Sequence, residues 1–371
     1  MKVTKKVMAY FGIMVLTSLS FCSLENDLAL LEHNLTSIAG ALPQQQNLGR
    51  ALLTMPDSVG ALALNSSETL LAVGDYRGHL TFFDMHERTI KTSIEFPLSI
   101  RSMDFHPSKP LLAVGTNQQR SNLFIINVDD TIGSSRHSLD GHRDSITCVT
   151  FNHAGTLLAS ASDDRTVKIW DPITNKLLFT LQDPETKKPF HYYLLTVSFN
   201  SDDTLLVVAG AQSLISVWDM TTKPEPKLIL TKVMAPPTEG YNFSSAAFHP
   251  KKPSIFAYAT DVDNRLEIFD ISRKTTIKTF KKSGLGRDLV TWHPSGNYLL
   301  TRNMAIYSGG VIVWNTENDN ISQLIIPEDT PPQPQFCNIV VGTSFPYIIS
   351  GFRAHENKGV VYAWDDPTIL H

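Results

Sequence analysis

Residues 141–183 read GHRDSITCVTFNHAGTLLASASDDRTVKIWDPITNKLLFTLQD, and this unit constrains the fold more than any other feature of the chain. Four short runs, SITCVTF, TLLASAS, TVKIWD and KLLFTL, alternate apolar residues with β-branched ones, as half-buried strands do. Between them NHAG, DDRT and DPITN supply turn chemistry. The unit recurs. Its Trp170-Asp171 pair has counterparts at Phe83-Asp84, Ile126-Asn127, Trp218-Asp219, Phe269-Asp270, Trp314-Asn315 and Trp364-Asp365, and the second residues follow one another at spacings of 43 to 51. A second landmark agrees: LNSSE, FHPSK, FNHAG, FNSDD, FHPKK and WHPSG occur at matching places in six units, and the seventh has GTSFPY instead. One such unit cannot bury its own apolar faces, so its neighbours must stack on it.

Opening on Gly141-His142 and closing on Trp170-Asp171, the unit resembles a WD repeat. The resemblance is strong across this unit and weaker in the other six. It implies an all-β, seven-bladed β-propeller, each blade supplying strands a, b, c and d from the centre outward. The seventh unit stops after its c strand, at GVVYAWDD. GRALLTMPD, residues 49–57, has no other assignment and lines up with NKLLFTLQD, the d strand of the third unit. The N-terminal strand is therefore expected to close the ring beside Val360–Trp364 and hide an exposed edge.

The resemblance also implies a buried hydrogen-bond network of His142, Ser160 (with Ser162 as the alternative), Asp164 and Trp170. The other units lack the Gly-His pair and carry Arg77, Arg120, Gln212, Asp263, Ser308 and Lys358 at the Asp position. The network is thus expected in one blade only, with apolar packing holding the rest. His142 and Asp164 invite a catalytic reading, but a triad needs an activated nucleophile and oxyanion donors. The sequence offers neither, so blade cohesion is the better account. His106, His249 and His293 open turns on different blades, which makes them turn residues rather than metal ligands. No phosphate-binding loop, HExxH or GxSxG occurs. The sequence thus assigns no catalytic residue, cofactor or metal.

Residues 1–22 differ from the remainder. MKVTKK is basic, VMAYFGIMVLTSLSF is uncharged and apolar, and small residues follow, the pattern of a secretory signal peptide. The run is shorter than the roughly 20 residues that span a bilayer, so an uncleaved anchor ranks second. Lipidation at Cys22 ranks lower because bulky Phe21 precedes it. Export is the expectation, periplasmic or secreted. Cleavage would remove Lys2, Lys5 and Lys6 and take the formal net charge from −4 to −7. Leu24, Leu28, Leu31, Leu35, Ile38 and Leu42 form one stripe of an amphipathic helix ended by Pro43, so residues 23–48 are assigned to helix and linker and 49–371 to the propeller. Asn34, Asn65, Asn242 and Asn320 stand in glycosylation acceptor triplets, relevant only in a eukaryotic host. Cys148 and Cys337 fall on non-adjacent units and read as buried free thiols.

A pI near 6.3 argues against nucleic acid, and a mean hydropathy of −0.07 against a polytopic membrane protein. In propellers of the resembled family, the b–c turns and d–a loops form the usual partner surface. There Arg77, Arg120 and Lys358 hold equivalent positions on adjacent blades, with Arg353 and His355 beside the last, a basic arc suited to an anionic ligand or acidic loop. His191, Tyr192 and Tyr193, with Phe190, make an aromatic d–a loop of interface composition, or alternatively a cover over a blade junction. The reading is an exported non-enzymatic scaffold binding a protein or peptide. A propeller hydrolase or lactonase, or an accessory factor of an envelope assembly complex, remains as the alternative, since fold alone licenses none of them.

Overall fold

The computed structural model describes residues 47–365 except 49, 118–121, 131–135, 184–188, 212–213, 234–243, 261–264, 282–288, 304–309, 319–320, 327–335, 343–346 and 354–357. The signal, Cys22 and helical-stripe assignments lie outside the described residues. Within them every regular element is a strand, and the strands form seven sheets, antiparallel but for one two-residue addition, the blades of a β-propeller.

Blade three shows the plan. Its strands run Ile146–Phe151 (a), Leu158–Ser162 (b), Val167–Asp171 (c) and Lys176–Leu181 (d), paired in that order. Strand b is buried throughout and strand c nearly so, whereas strand d is largely exposed. That gradient explains the near-continuous apolar runs of b and c, which are covered on both faces by neighbouring blades. The cores lie between blades: Trp170 packs with Ile125 and Leu123 of blade two, and Trp218 of blade four with Val167 and Ile169 of blade three.

The ring closes where the sequence places the closure. Arg50–Met55 pairs antiparallel with Gly359–Asp365, Thr54 opposite Val360 and Met55 opposite Gly359. Only glycine suits position 359, since a Cβ there would lie 2.3 Å from the Asp57 carbonyl oxygen. One assignment needs correcting. Asn47–Leu48, placed in the linker by sequence, pair in parallel with Ile325–Ile326 and add a fifth strand to blade six. Two residues are too short a run for periodicity to reveal.

The innermost strands face a specific difficulty. Each a strand pairs with b on one side and leaves its other edge without a ladder. Side chains of the preceding blade fill part of that deficit in a repeating register. Ser102 Oγ accepts from Val149 N–H at 2.9 Å and Asp104 Oδ2 from Phe151 N–H at 2.7 Å. Two blades on, Thr196 accepts from Ala246 N–H and Ser198 from Phe248 N–H, at 3.1 and 3.2 Å, and Ser245 accepts from Val290 N–H at 3.2 Å. The acceptors stand one and three residues before the aromatic that ends each a strand. Burial pushes the Asp104 carboxyl up to about 7, although its side chain keeps partial solvent access. Cys148 is half-buried rather than fully buried, and its thiol, pushed up to about 11 by desolvation, donates to the Val197 carbonyl.

At the ends of these strands the a–b turns clasp one another. His106 Nδ1 accepts from Ser108 and Lys109 N–H, so its Nε2–H is free to donate to the Gly155 carbonyl of the next blade at 2.9 Å. Gly155 has φ +68, and a Cβ on it would strike the His106 ring. Asp203 of blade four then accepts from Asn152 Nδ2 and from the N–H groups of His153 and Ala154, and Asn200 Nδ2 donates to the Pro253 carbonyl.

Met55 is 1% exposed at the closure. Met55→Ala is expected to lower the unfolding free energy by about 2–5 kcal/mol, the usual cost of truncating a buried methionine, as read from urea denaturation.

Candidate interaction site on the b–c end

Antiparallel pairing puts a–b and c–d turns at one end of every blade, and b–c turns and d–a connections at the other. At the second end, blade three is held by a polar chain. Asp164, in its b–c turn, accepts from Thr166 N–H and Oγ1–H at 2.9 and 2.7 Å and from Arg143 N–H at 2.9 Å. His142 Nδ1 lies 2.8 Å from Asp164 Oδ2, and His142 Nε2 lies 2.8 Å from Ser160 Oγ, which also receives Trp170 Nε1–H at 2.8 Å. With His142 neutral and protonated on Nδ1, indole gives to hydroxyl, hydroxyl to imidazole and imidazole to carboxylate. Burial favours this state by lowering the His142 pKa, against the opposing pull of Asp164. Burial alone would raise the Asp164 pKa, but the bonds from His142, Thr166 and Arg143 hold it well below the usual carboxylate range.

The Asp-His-Ser order is that of a hydrolytic triad, yet the geometry serves cohesion. Ser160 has no exposed surface and its oxygen is occupied by the indole, so no substrate carbonyl can reach it.

The d–a loop beside this blade is split in function. Phe190 is buried, meets Trp218 edge-on at 6.2 Å, and donates its N–H to the Arg165 carbonyl at 2.9 Å. His191 and Tyr193 are exposed and Tyr192 is half-buried against His191. One residue of the aromatic cluster thus covers the junction while the others face outward. The bond to Arg165, and the adjacency of Arg143 to Asp164, bring two exposed arginines to the same patch. Neither guanidinium has a hydrogen bond or ion pair among the described residues. The acids nearby are already engaged: Asp163 lies 3.5 Å from Arg101, and Asp144 accepts from Ser145 N–H.

The sequence-read basic arc is a different matter. Arg77 is exposed but its Nε pairs with Asp57 Oδ2 at 2.9 Å. Lys358 is exposed, and the next residue, Gly359, packs against Asp57. Arg353 ends a strand, Tyr347–Arg353. Arg120 and His355 lie outside the described residues. Asp57, which follows the closing strand, already neutralises part of this arc.

Comparison with known proteins agrees with this architecture. A family profile described as "WD domain, G-beta repeat" matches residues 133–171, which include the polar chain. The chain is 29% identical over 168 residues to the nuclear distribution protein nudF of Aspergillus niger, covering 45% of this chain and 35% of that protein. It is 25% identical over 248 residues to the TSET complex member tstE of Dictyostelium discoideum (64% and 18%), and 22% identical over 283 residues to the mitotic checkpoint protein BUB3.1 of Arabidopsis thaliana (73% and 78%). The matched region thus spans well under half the length of the first two relatives. The chain carries a WD repeat and folds as a seven-bladed β-propeller.

As a WD-repeat protein it departs from uniformity in a way the sequence reading missed. The expectation that blades other than the third rely on apolar packing is incorrect. Thr301, at the repeat position of Ser160, accepts the Trp314 indole at 2.9 Å, and in blade four, where that position is Val208, the Trp218 indole turns to Ser216 at 3.2 Å. In blade five Tyr258 takes the position, donates to Glu267, and is joined by Lys232 from the blade-four d strand. In blade one, fully buried Asp75 accepts from the N–H groups of Arg77 and His79, with His79 Nδ1 at 2.7 Å. The signal was available as polar residues paired across strands b and c, but a search for His and Asp alone passes over it.

Ser160→Ala leaves a buried indole N–H and an imidazole nitrogen unpaired, so a loss of about 2–4 kcal/mol in urea denaturation is expected, while Ser162→Ala costs less. Acid should also weaken the fold. Burial lowers the pKa of His106, His142 and His249, the last to about 4, so the folded state holds fewer protons than the unfolded one. Stability is therefore full above the unfolded histidine pKa of about 6.5 and declines as pH falls toward 4. His249→Asn, copying the Asn that fills the same turn position in blades three and four, should shallow that decline in urea midpoints measured between pH 7 and 4.5.

Proposed function

We propose that this WD-repeat propeller is an exported, non-enzymatic scaffold that binds a protein or peptide partner on its b–c end, centred on blades three and four. The observation that carries the reading is the rigid display of His191 and Tyr193. Phe190 is fixed by Trp218 and Arg165, so the exposed rings pay little ordering entropy on binding, and two guanidiniums with no ion pair among the described residues lie on the same patch. Aromatic and arginine side chains dominate binding hot spots. The relatives' names, a nuclear distribution protein and a complex member, support an interaction role rather than a reaction. Export rests on the basic and apolar composition of residues 1–22.

Arg77, Arg120, Arg353, His355 and Lys358 stay in the proposal as a second contact area for an acidic segment. Its weight is reduced by the Arg77–Asp57 pair.

The test is affinity capture from the exported fraction with the full chain. Tyr193→Ala and Arg143→Glu/Arg165→Glu should each reduce recovery of a specific partner at least tenfold, and Arg77→Glu/Lys358→Glu should reduce it less. A partner retained by folded variants of the first two kinds overturns the blade three and four assignment.

A further inference from the structure

Among the described residues six large aliphatic side chains are exposed: Ile90 stands alone on blade one at 54%, and the other five gather on blades three to five. In blades three, four and five the c–d ladder breaks register at the same repeat step, just after the residues opposite Trp170, Trp218 and Phe269. The bulged residue is Leu178, Ile229 and Ile277 in turn, and these are 43%, 41% and 47% exposed. Leu177 and Ile173, at 42% and 51%, join them on blade three. In blade one the equivalent residue is Lys91, tied to Asp84 at 3.0 Å, so the aliphatic pattern is not a requirement of the bulge itself.

All five lie at the start of a d strand or in the c–d turn before it, on the outer wall near the a–b end. That is the opposite end from the candidate interaction site. Four exposed lysines occupy the same c–d turns and strand starts: Lys176 on blade three, Lys223 and Lys227 on blade four, and Lys274 on blade five. None has an ion pair or a side-chain hydrogen bond among the described residues. The acids of these turns face inward to the backbone, Asp171 accepting from Ile173 N–H and Asp219 from Thr221 N–H at 2.8 Å each. Asp270 likewise accepts from Ser272 N–H. Glu225 is the exposed acid of these c–d turns, and Asp202 is an exposed acid on the a–b turn of blade four. On the a–b turn of blade five, Lys251 and Lys252 add two more exposed cations at the same end.

From this juxtaposition we propose that the outer wall of blades three to five docks peripherally on an anionic lipid surface. Branched aliphatic side chains with no aromatic or polar anchor among them suit shallow burial at the acyl boundary. Lysines on flexible stems suit headgroup attraction without a fixed partner geometry. The proposal is independent of the scaffold reading and uses the other end of the molecule.

Co-sedimentation of the full chain with phosphatidylcholine vesicles, with and without 30% phosphatidylserine, tests it. Residues 1–46 are identical in every variant, so their contribution cancels in the comparison. The expected result is at least fivefold greater partition onto the anionic vesicles, falling as salt is raised to 0.5 M because screening shortens the reach of the lysines. Lys223→Glu/Lys227→Glu/Lys274→Glu and Leu178→Ser/Ile229→Ser/Ile277→Ser, each checked for an unchanged urea midpoint, should each remove most of that difference. The substituted side chains are exposed, so folding should survive; if the serine variant does not fold, the glutamate variant alone decides. Equal partition onto both vesicle types, or partition unchanged in the folded glutamate variant, overturns the proposal, as does loss of an acidic protein partner in the glutamate variant without any vesicle binding.

Discussion

Everything in this propeller depends on what happens at the inner edge of each a strand. A four-stranded antiparallel sheet always has two edges, and at the centre of a ring one of them has no strand to pair with. Water and neighbouring side chains must satisfy its amides. Here the hydroxyls of Ser102, Thr196, Ser198 and Ser245, and the carboxylate of Asp104, reach across to the next blade. Each such bond contributes only about 0.5–1.5 kcal/mol, but leaving the amide bare would cost more, and the same register recurs at three blade junctions among the described residues. The blades are therefore bound to one another by directional contacts as well as by the apolar cores between them.

Within blades the polar solution varies while the task stays the same. In blades three, five and six a buried indole or phenol on strand b or c finds a polar partner. Blade three meets the need with a four-member chain ending in a carboxylate, blade six with one hydroxyl, and blade five with Tyr258 and Glu267. The variety explains why a profile recognises residues 133–171 while the blades around them share the architecture.

The architecture was legible because strand alternation and turn chemistry repeat at a fixed period, and because Gly49 to Asp57 had only one vacancy to fill. Surface detail was not. Arg77 looked like a free cation, yet its partner Asp57 lies twenty residues upstream, in the connection that follows the closing strand Arg50–Met55. Arg143 and Arg165 escaped notice because their significance is the absence of a side-chain partner among the described residues, which no pattern of residues encodes. Phe190 and Tyr193 carry similar chemistry in sequence, and only the contact with Trp218 separates the anchor from the displayed ring.

The closing strand has a consequence for how the molecule comes into being. Residues 50–55 are made early, but their partners at 359–363 emerge roughly 300 residues later, about 15–60 s at typical synthesis rates of about 5–20 residues per second. Through that interval the segment is an apolar strand with nothing to pair with, and blade seven does not yet exist. The chain must keep its beginning unengaged until its end arrives, so the order of manufacture, and not only the final contacts, bears on whether the ring forms correctly.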